Sequence, residues 1–261
     1  MIKDVFVSIG AAARKLFTNF GAVSVALLCY AALWLAGWFF VTTREATQLQ
    51  VALSLIVLPL AVIVFFFMLQ TIGLSYVRVG VGAGYLLKRA LKDFWKLFVV
   101  SLPMFLLAAA LWWLFGYLAN KFVASVEKPQ RWIEMTIMIA RWLLLYGLLP
   151  LWTIHLWMAA IREGLKSGFK GIFRHLISAL APRSVLIYVI VLAACGALAY
   201  FAAFTETHVG SEWGELWLFG ARFVFALLMI FIGWLLTLGA MAEMTTRRAL
   251  NEAMSELDVQ G

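Results

Sequence analysis

Six apolar stretches, each long enough to cross a bilayer, run through the chain, and the connections between them alternate between Lys/Arg-rich and nearly Lys/Arg-free. A hydrocarbon core of roughly 30 Å takes about 20 apolar residues in a helix. Lipid offers the backbone no hydrogen bonds, so a crossing segment has to satisfy its own, as a helix does. Uncharged runs at 16–43, 46–77, 97–120, 184–205 and 223–242 meet that length. A sixth, 132–161, is as long but carries Glu134, Arg141 and His155. With 65% hydrophobic and 13% charged residues, against about 25% charged in soluble domains, little chain remains for a separate soluble unit. The expected fold is all-α: a polytopic membrane helix bundle forming one transmembrane domain over 1–261. Its spans fall at about 18–42, 50–77, 97–119, 133–161, 184–204 and 217–243.

The first run follows Lys3, Arg14 and Lys15 and continues through Trp34, Trp38, Phe39 and Phe40. Signal peptides have shorter apolar regions ending in small residues, so this reads as a retained anchor. Cys29 and Cys195 fall inside spans one and five, where free thiols behave as small hydrophobes.

Orientation follows from Lys and Arg alone. One side holds Lys3, Arg14 and Lys15, then Arg78, Lys88, Arg89, Lys92 and Lys96, then Arg162, Lys166, Lys170, Arg174 and Arg183, then Arg247 and Arg248. The other holds Arg44, Lys121, Lys128 and Arg131, while its last loop carries Glu206, Glu212 and Glu215. Fifteen against four places both termini in the cytoplasm of a bacterial inner-membrane protein. The net charge of +8 is then a property of one membrane face, and nucleic acid is not an expected partner.

A unit recurs in the order of residues: a basic amphipathic segment, then a transmembrane hairpin. Lys88 to Asp93 resembles Arg247 to Glu252, and Leu58-Pro59-Leu60 in span two returns as Leu149-Pro150-Leu151 in span four. Each proline removes a helix hydrogen bond and should kink its span. Three hairpins are the expected arrangement, joined by amphipathic cytoplasmic helices. In the fourth loop Arg162, Lys166, Lys170 and Arg174 recur every four residues opposite Leu165, Phe169, Ile172, Phe173 and Leu176. In the second, Lys88, Arg89, Lys92 and Lys96 stand opposite Leu87, Leu91, Phe94 and Trp95. Such helices lie in the interface against anionic headgroups, or continue the spans as ordinary positive flanks. Gly80, Gly82, Gly84, Gly164, Gly168 and Gly171 favour a break.

Span four carries the concentrated polar set. Glu134, Arg141, His155 and Arg162 are spaced by seven, fourteen and seven residues, which places them along one slowly winding line of an α-helix. Arg141 and Arg222 are expected at similar depth below the outer surface, where two guanidiniums suit a phosphate or carboxylate. Glu134, Arg141, His155 and Arg222 are therefore the candidate residues for an anionic ligand or lipid. His155, His175 and His208 lie on different elements, and there is no HExxH, Walker or nucleophile-elbow motif. No catalytic residue, metal or cofactor is expected. The reading is a non-enzymatic membrane protein that binds, organises or moves lipid or another anionic amphiphile, with anionic phospholipids as partners. The alternative is a scaffold or accessory subunit that anchors a membrane or cytoplasmic protein.

Overall fold

The computed structural model describes residues 1–44, 47–77, 82–124, 131–206 and 210–260, with backbone alone at 123–124, 167, 248–253 and 255–260. Arg78, Gly80, Lys128 and His208 lie outside the described residues, as do the side chains of Arg248 to Glu252. The described chain is helical: α1 (Ile2–Thr18), α2 (Phe20–Thr42), α3 (Gln48–Ala52), α4 (Leu58–Ser75), α5 (Ala83–Ala119), α6 (Arg131–Trp142), α7 (Leu149–Arg162), α8 (Leu165–Lys170), α9 (Ile172–Ala179), α10 (Pro182–Phe204) and α11 (Glu212–Gln260). Single π-helical turns at Leu53–Val57 and Leu143–Leu148 join α3 to α4 and α6 to α7, and a third follows α5 at Asn120–Ala124. Six stretches are long and apolar enough to cross a membrane: Phe20–Thr42, Gln48–Ser75, Ala83–Phe122, Arg131–Arg162, Pro182–Phe204 and Glu212–Arg247. This is a multi-pass membrane protein with an all-α fold.

The chain divides into two compact units, residues 1–94 with 186–261, and 95–185. In the first, α4 packs against α2 and α11. From Phe67 to Val77 every residue is buried, as befits a helix apolar on all sides and surrounded by others. Small residues bring the backbones together, as membrane helices require in the absence of a hydrophobic drive between them. A Cβ on Gly73 would sit 2.5 Å from Leu238 Cδ1, one on Gly233 would sit 2.7 Å from Cys195 Cβ, and one on Gly239 would collide with the Tyr76 hydroxyl. Several polar groups in this layer are paired, while Ser75 Oγ is buried with no hydrogen-bond partner among the described residues. Trp234 Nε1 donates to Gln70 Oε1 at 2.5 Å, the Tyr76 hydroxyl to the Leu235 carbonyl at 3.2 Å, and Thr237 to the Gly233 carbonyl at 2.8 Å.

α1 is a separate helix whose Val5, Ser8, Ala12 and Leu16 are buried at the three- and four-residue spacing of one helix face. Asn19 ends it and caps α2, its Oδ1 accepting from the Ala22 amide at 3.1 Å. The Tyr30 hydroxyl bonds the Leu227 carbonyl. Fifteen residues earlier Lys15 Nζ lies 2.9 Å from Glu243 Oε2, and Glu243 is sixteen residues after Leu227. The matching intervals mean that the chain from α1 to Tyr30 of α2 runs antiparallel to α11, with α1 packed against it. Arg247 Nε holds the other Glu243 oxygen at 2.9 Å, so one carboxylate ties α1 to α11.

In the second unit Val100 and Met104 of α5 pack with Leu156 and Ala160 of α7, flanked by Trp152, Leu165 and Ile172. Trp157 Nε1 donates to Ser101 Oγ at 2.7 Å, and Ser101 donates to the Leu97 carbonyl at 2.7 Å. The two basic segments behave differently. Lys88 to Phe98 belongs to α5, which runs unbroken through Gly84 to Ala119, so the second loop continues its span and is not a separate interfacial helix. The fourth loop does break. Gly164 has φ +90°, a left-handed conformation that glycine adopts without steric cost, and Gly171 separates α8 from α9. Arg162, Lys166, Lys170 and Arg174 therefore sit on three successive helices, α7, α8 and α9, instead of one stripe.

Because Gly239 closes on Tyr76, Gly239→Ala is expected to destabilise the protein by about 1–3 kcal/mol, the usual cost of overpacking. Gly37→Ala, with open space around it, should leave the thermal transition of the purified protein unchanged.

Candidate functional site

The fourth span changes character along its length. In α6 and the π turn that follows it no residue is buried, whereas in α7 Leu151 and every residue from Thr153 to Ala160 are buried. Glu134, Met138 and Arg141 recur at four and three residues and share a face of α6. With Phe115 of α5, Trp142 and Tyr146 they line a groove of about 680 Å³. The Arg141 guanidinium carbon lies 3.7 Å from the centroid of the Trp112 ring, within the range of a cation–π contact. Among the described residues Arg141 has no hydrogen bond or ion pair. Glu134 lines the same groove about 10 Å closer to the start of α6, at 1.5 Å per residue.

The line expected through Glu134, Arg141, His155 and Arg162 stops at the π turn. A π-helical turn holds one residue more than an α turn, which rotates everything beyond it by about 100°. Glu134 and Arg141 stay together in the groove. His155 instead points into packed protein, its Nε2 3.1 Å from Ser184 Oγ, while Ser184 donates to the Ser178 carbonyl at 3.1 Å. Ser184 is the third residue of α10, so His155 lies level with the start of the fifth span and not at mid-depth. Arg162 is exposed at the end of α7. Arg222 belongs to the other unit, where it donates to the Thr205 carbonyl and lines a cleft of about 470 Å³ with Glu206 and Glu215. Of the four candidates, then, two share a groove, one sits in a buried hydrogen bond and one has its own acid-lined cleft.

Of the basic residues, Lys88, Lys92, Arg162, Lys166, Lys170 and Arg174 are exposed, while Arg89 and Lys96 are partly buried. Arg89 Nε is 3.6 Å from Asp93 Oδ2. Trp112 and His175 are additions that sequence reasoning missed. Trp112 is on a different helix from Arg141, and nothing in either local sequence couples them. His175 is 8% exposed, and its Nε2 has no hydrogen-bond partner among the described residues. Burial lowers its pKa below the ordinary histidine value, the Arg174 charge lowers it further, and Glu163 opposes both.

No protein-family model, curated protein or solved structure matches this chain.

The neutral form of His175 is favoured in the folded protein, so its contribution to stability is complete above the unfolded-state value of 6.5 and declines as pH falls below it. His175→Gln should flatten the fall in thermal stability on acidification through that window relative to the parent protein. An unchanged slope would assign the pH dependence to other groups.

Proposed function

We propose that the chain is a multi-pass protein of a bacterial cytoplasmic membrane, with both termini in the cytoplasm, that binds, organises or moves lipid or another anionic amphiphile without catalysing a reaction. The orientation rests on the fifteen-to-four division of Lys and Arg. The ligand class rests on one observation, the Arg141 guanidinium laid on Trp112 in a groove walled by Phe115, Met138, Trp142 and Tyr146. A charge on a lipid-exposed half-helix is costly unless it is paired. The planar guanidinium fork of N–H donors can engage two oxygens of a phosphate or carboxylate. The apolar walls suit the chain of an amphiphile whose headgroup Arg141 holds.

A second reading, a scaffold that anchors a partner protein, is supported by a different feature. α1 and α11 are tied by the Lys15–Glu243–Arg247 cluster at the Lys/Arg-rich end of the sixth span, giving a braced helical surface there.

Native mass spectrometry of the protein released from nanodiscs separates the two. Losing charge-assisted hydrogen bonds worth about 1.5–3 kcal/mol should weaken retention of an anionic phospholipid about tenfold or more in Arg141→Ala. Trp112→Ala should act in the same direction, and Arg222→Ala should retain the lipid. Equal retention in all three variants would remove the lipid reading. A copurifying protein whose binding ignores Arg141 but is lost in Glu243→Ala would favour the scaffold.

A further inference from the structure

α8 and α9 fold back along the fourth span. The chain turns at Gly164, and by Gly168 it lies against Ala160, where an added Cβ would be 3.8 Å from the Ala160 backbone nitrogen. Four residues later the Ile172 carbonyl accepts from Trp152 Nε1 at 3.0 Å. Trp152 stands ten residues before Arg162, about 15 Å along the helix. At the other end of α9 the Ser178 carbonyl accepts from Ser184 near the start of α10. α9 is thus fastened at both ends to helices that cross the membrane, alongside the fourth span and not below it.

Its faces differ. His175 and Ala179 are buried. Phe173 and Ile177, one turn apart, are 74% and 72% exposed, and Leu180 continues the same edge at 55%. Arg174 is exposed on the flank beside them, and Lys166 and Lys170 are exposed on α8.

We propose that α9 is embedded in the leaflet on the Lys/Arg-rich side, with Phe173 and Ile177 among acyl chains and Arg174 and Lys170 at anionic headgroups. Two observations favour lipid as what covers this face. The bonds from Trp152 and Ser184 fix the helix at the level of membrane-crossing segments, and the cations bordering the apolar edge complement anionic headgroups. The Arg141 groove plays no part, so failure of ligand binding there leaves this inference standing.

The test is nitroxide accessibility on the full-length protein in phosphatidylcholine–phosphatidylglycerol nanodiscs, with Cys29 and Cys195 replaced by alanine. Labels at Phe173→Cys and Ile177→Cys should relax several-fold more readily with oxygen, which partitions into lipid, than with a water-soluble nickel chelate. A label at Met254→Cys, exposed near the C-terminus, should show the opposite preference. Leu180→Cys serves as a third position if either of the first two variants fails to keep the thermal transition of the cysteine-free parent. Chelate access at these sites equal to that at Met254→Cys would put α9 in water and overturn the proposal. Protection from both relaxants would overturn it too, by assigning the face to a protein contact.

Discussion

Lipid gives a polar side chain nothing to bond, and that constraint decides where this protein is packed. Gln70, Thr71, Ser75, Thr237, Ser101, His155 and Ser184 are all buried, and those with described partners find them on a neighbouring helix or on their own backbone. The buried stretches Phe67–Val77 and Leu151–Ala160 and the last turns before Glu243 fall toward the Lys/Arg-rich ends of their spans. The opposite ends are lined with exposed side chains, among them Trp38, Trp113, Trp132, Leu143, Tyr200 and Trp217. Arg141 stands out because it is a cation on the sparsely covered part of a span, with an aromatic ring beneath it in place of an acid.

The π turns at Leu53–Val57 and Leu143–Leu148 give this division a mechanical cause. Each directly precedes a Leu-Pro-Leu sequence, with Pro59 and Pro150 in the first turn of the following α segment, where a missing N–H is tolerated. The extra residue shifts the register above the proline relative to that below it. In the fourth span this lets one helix present Arg141 to the groove beside Phe115 and Tyr146 and His155 to Ser184. A regular α-helix would have aimed both in nearly the same direction.

Much of the architecture was legible in the sequence, because hydropathy and length are enough to identify helices that cross a membrane. The recurrence of Leu-Pro-Leu also marks matching places where a π turn interrupts the α-helical register. The heptad line in span four failed because periodicity assumes a constant number of residues per turn, and a π turn is not encoded by a residue type that could be counted. The four-residue stripe of Arg162 to Arg174 failed for a related reason: Gly164 takes a positive φ and divides the stripe between helices. Gly84 in the second loop sits in the first turn of α5 and does not interrupt it. The Arg141–Trp112 contact and the Lys15–Glu243 tie depend on which helices become neighbours, which local sequence does not carry.

Packing is concentrated toward the Lys/Arg-rich ends of the spans and leaves the opposite half of the fourth span without a buried residue. Photolabelling in bilayers containing a phospholipid with a diazirine on its acyl chain, with labelled residues located by mass spectrometry, tests it most directly. The account predicts adducts on Met135, Met138, Ile139 and Leu143, and none across Phe67–Val77 or Leu151–Ala160. Comparable labelling of the two sets, or labelling of the second alone, would contradict it.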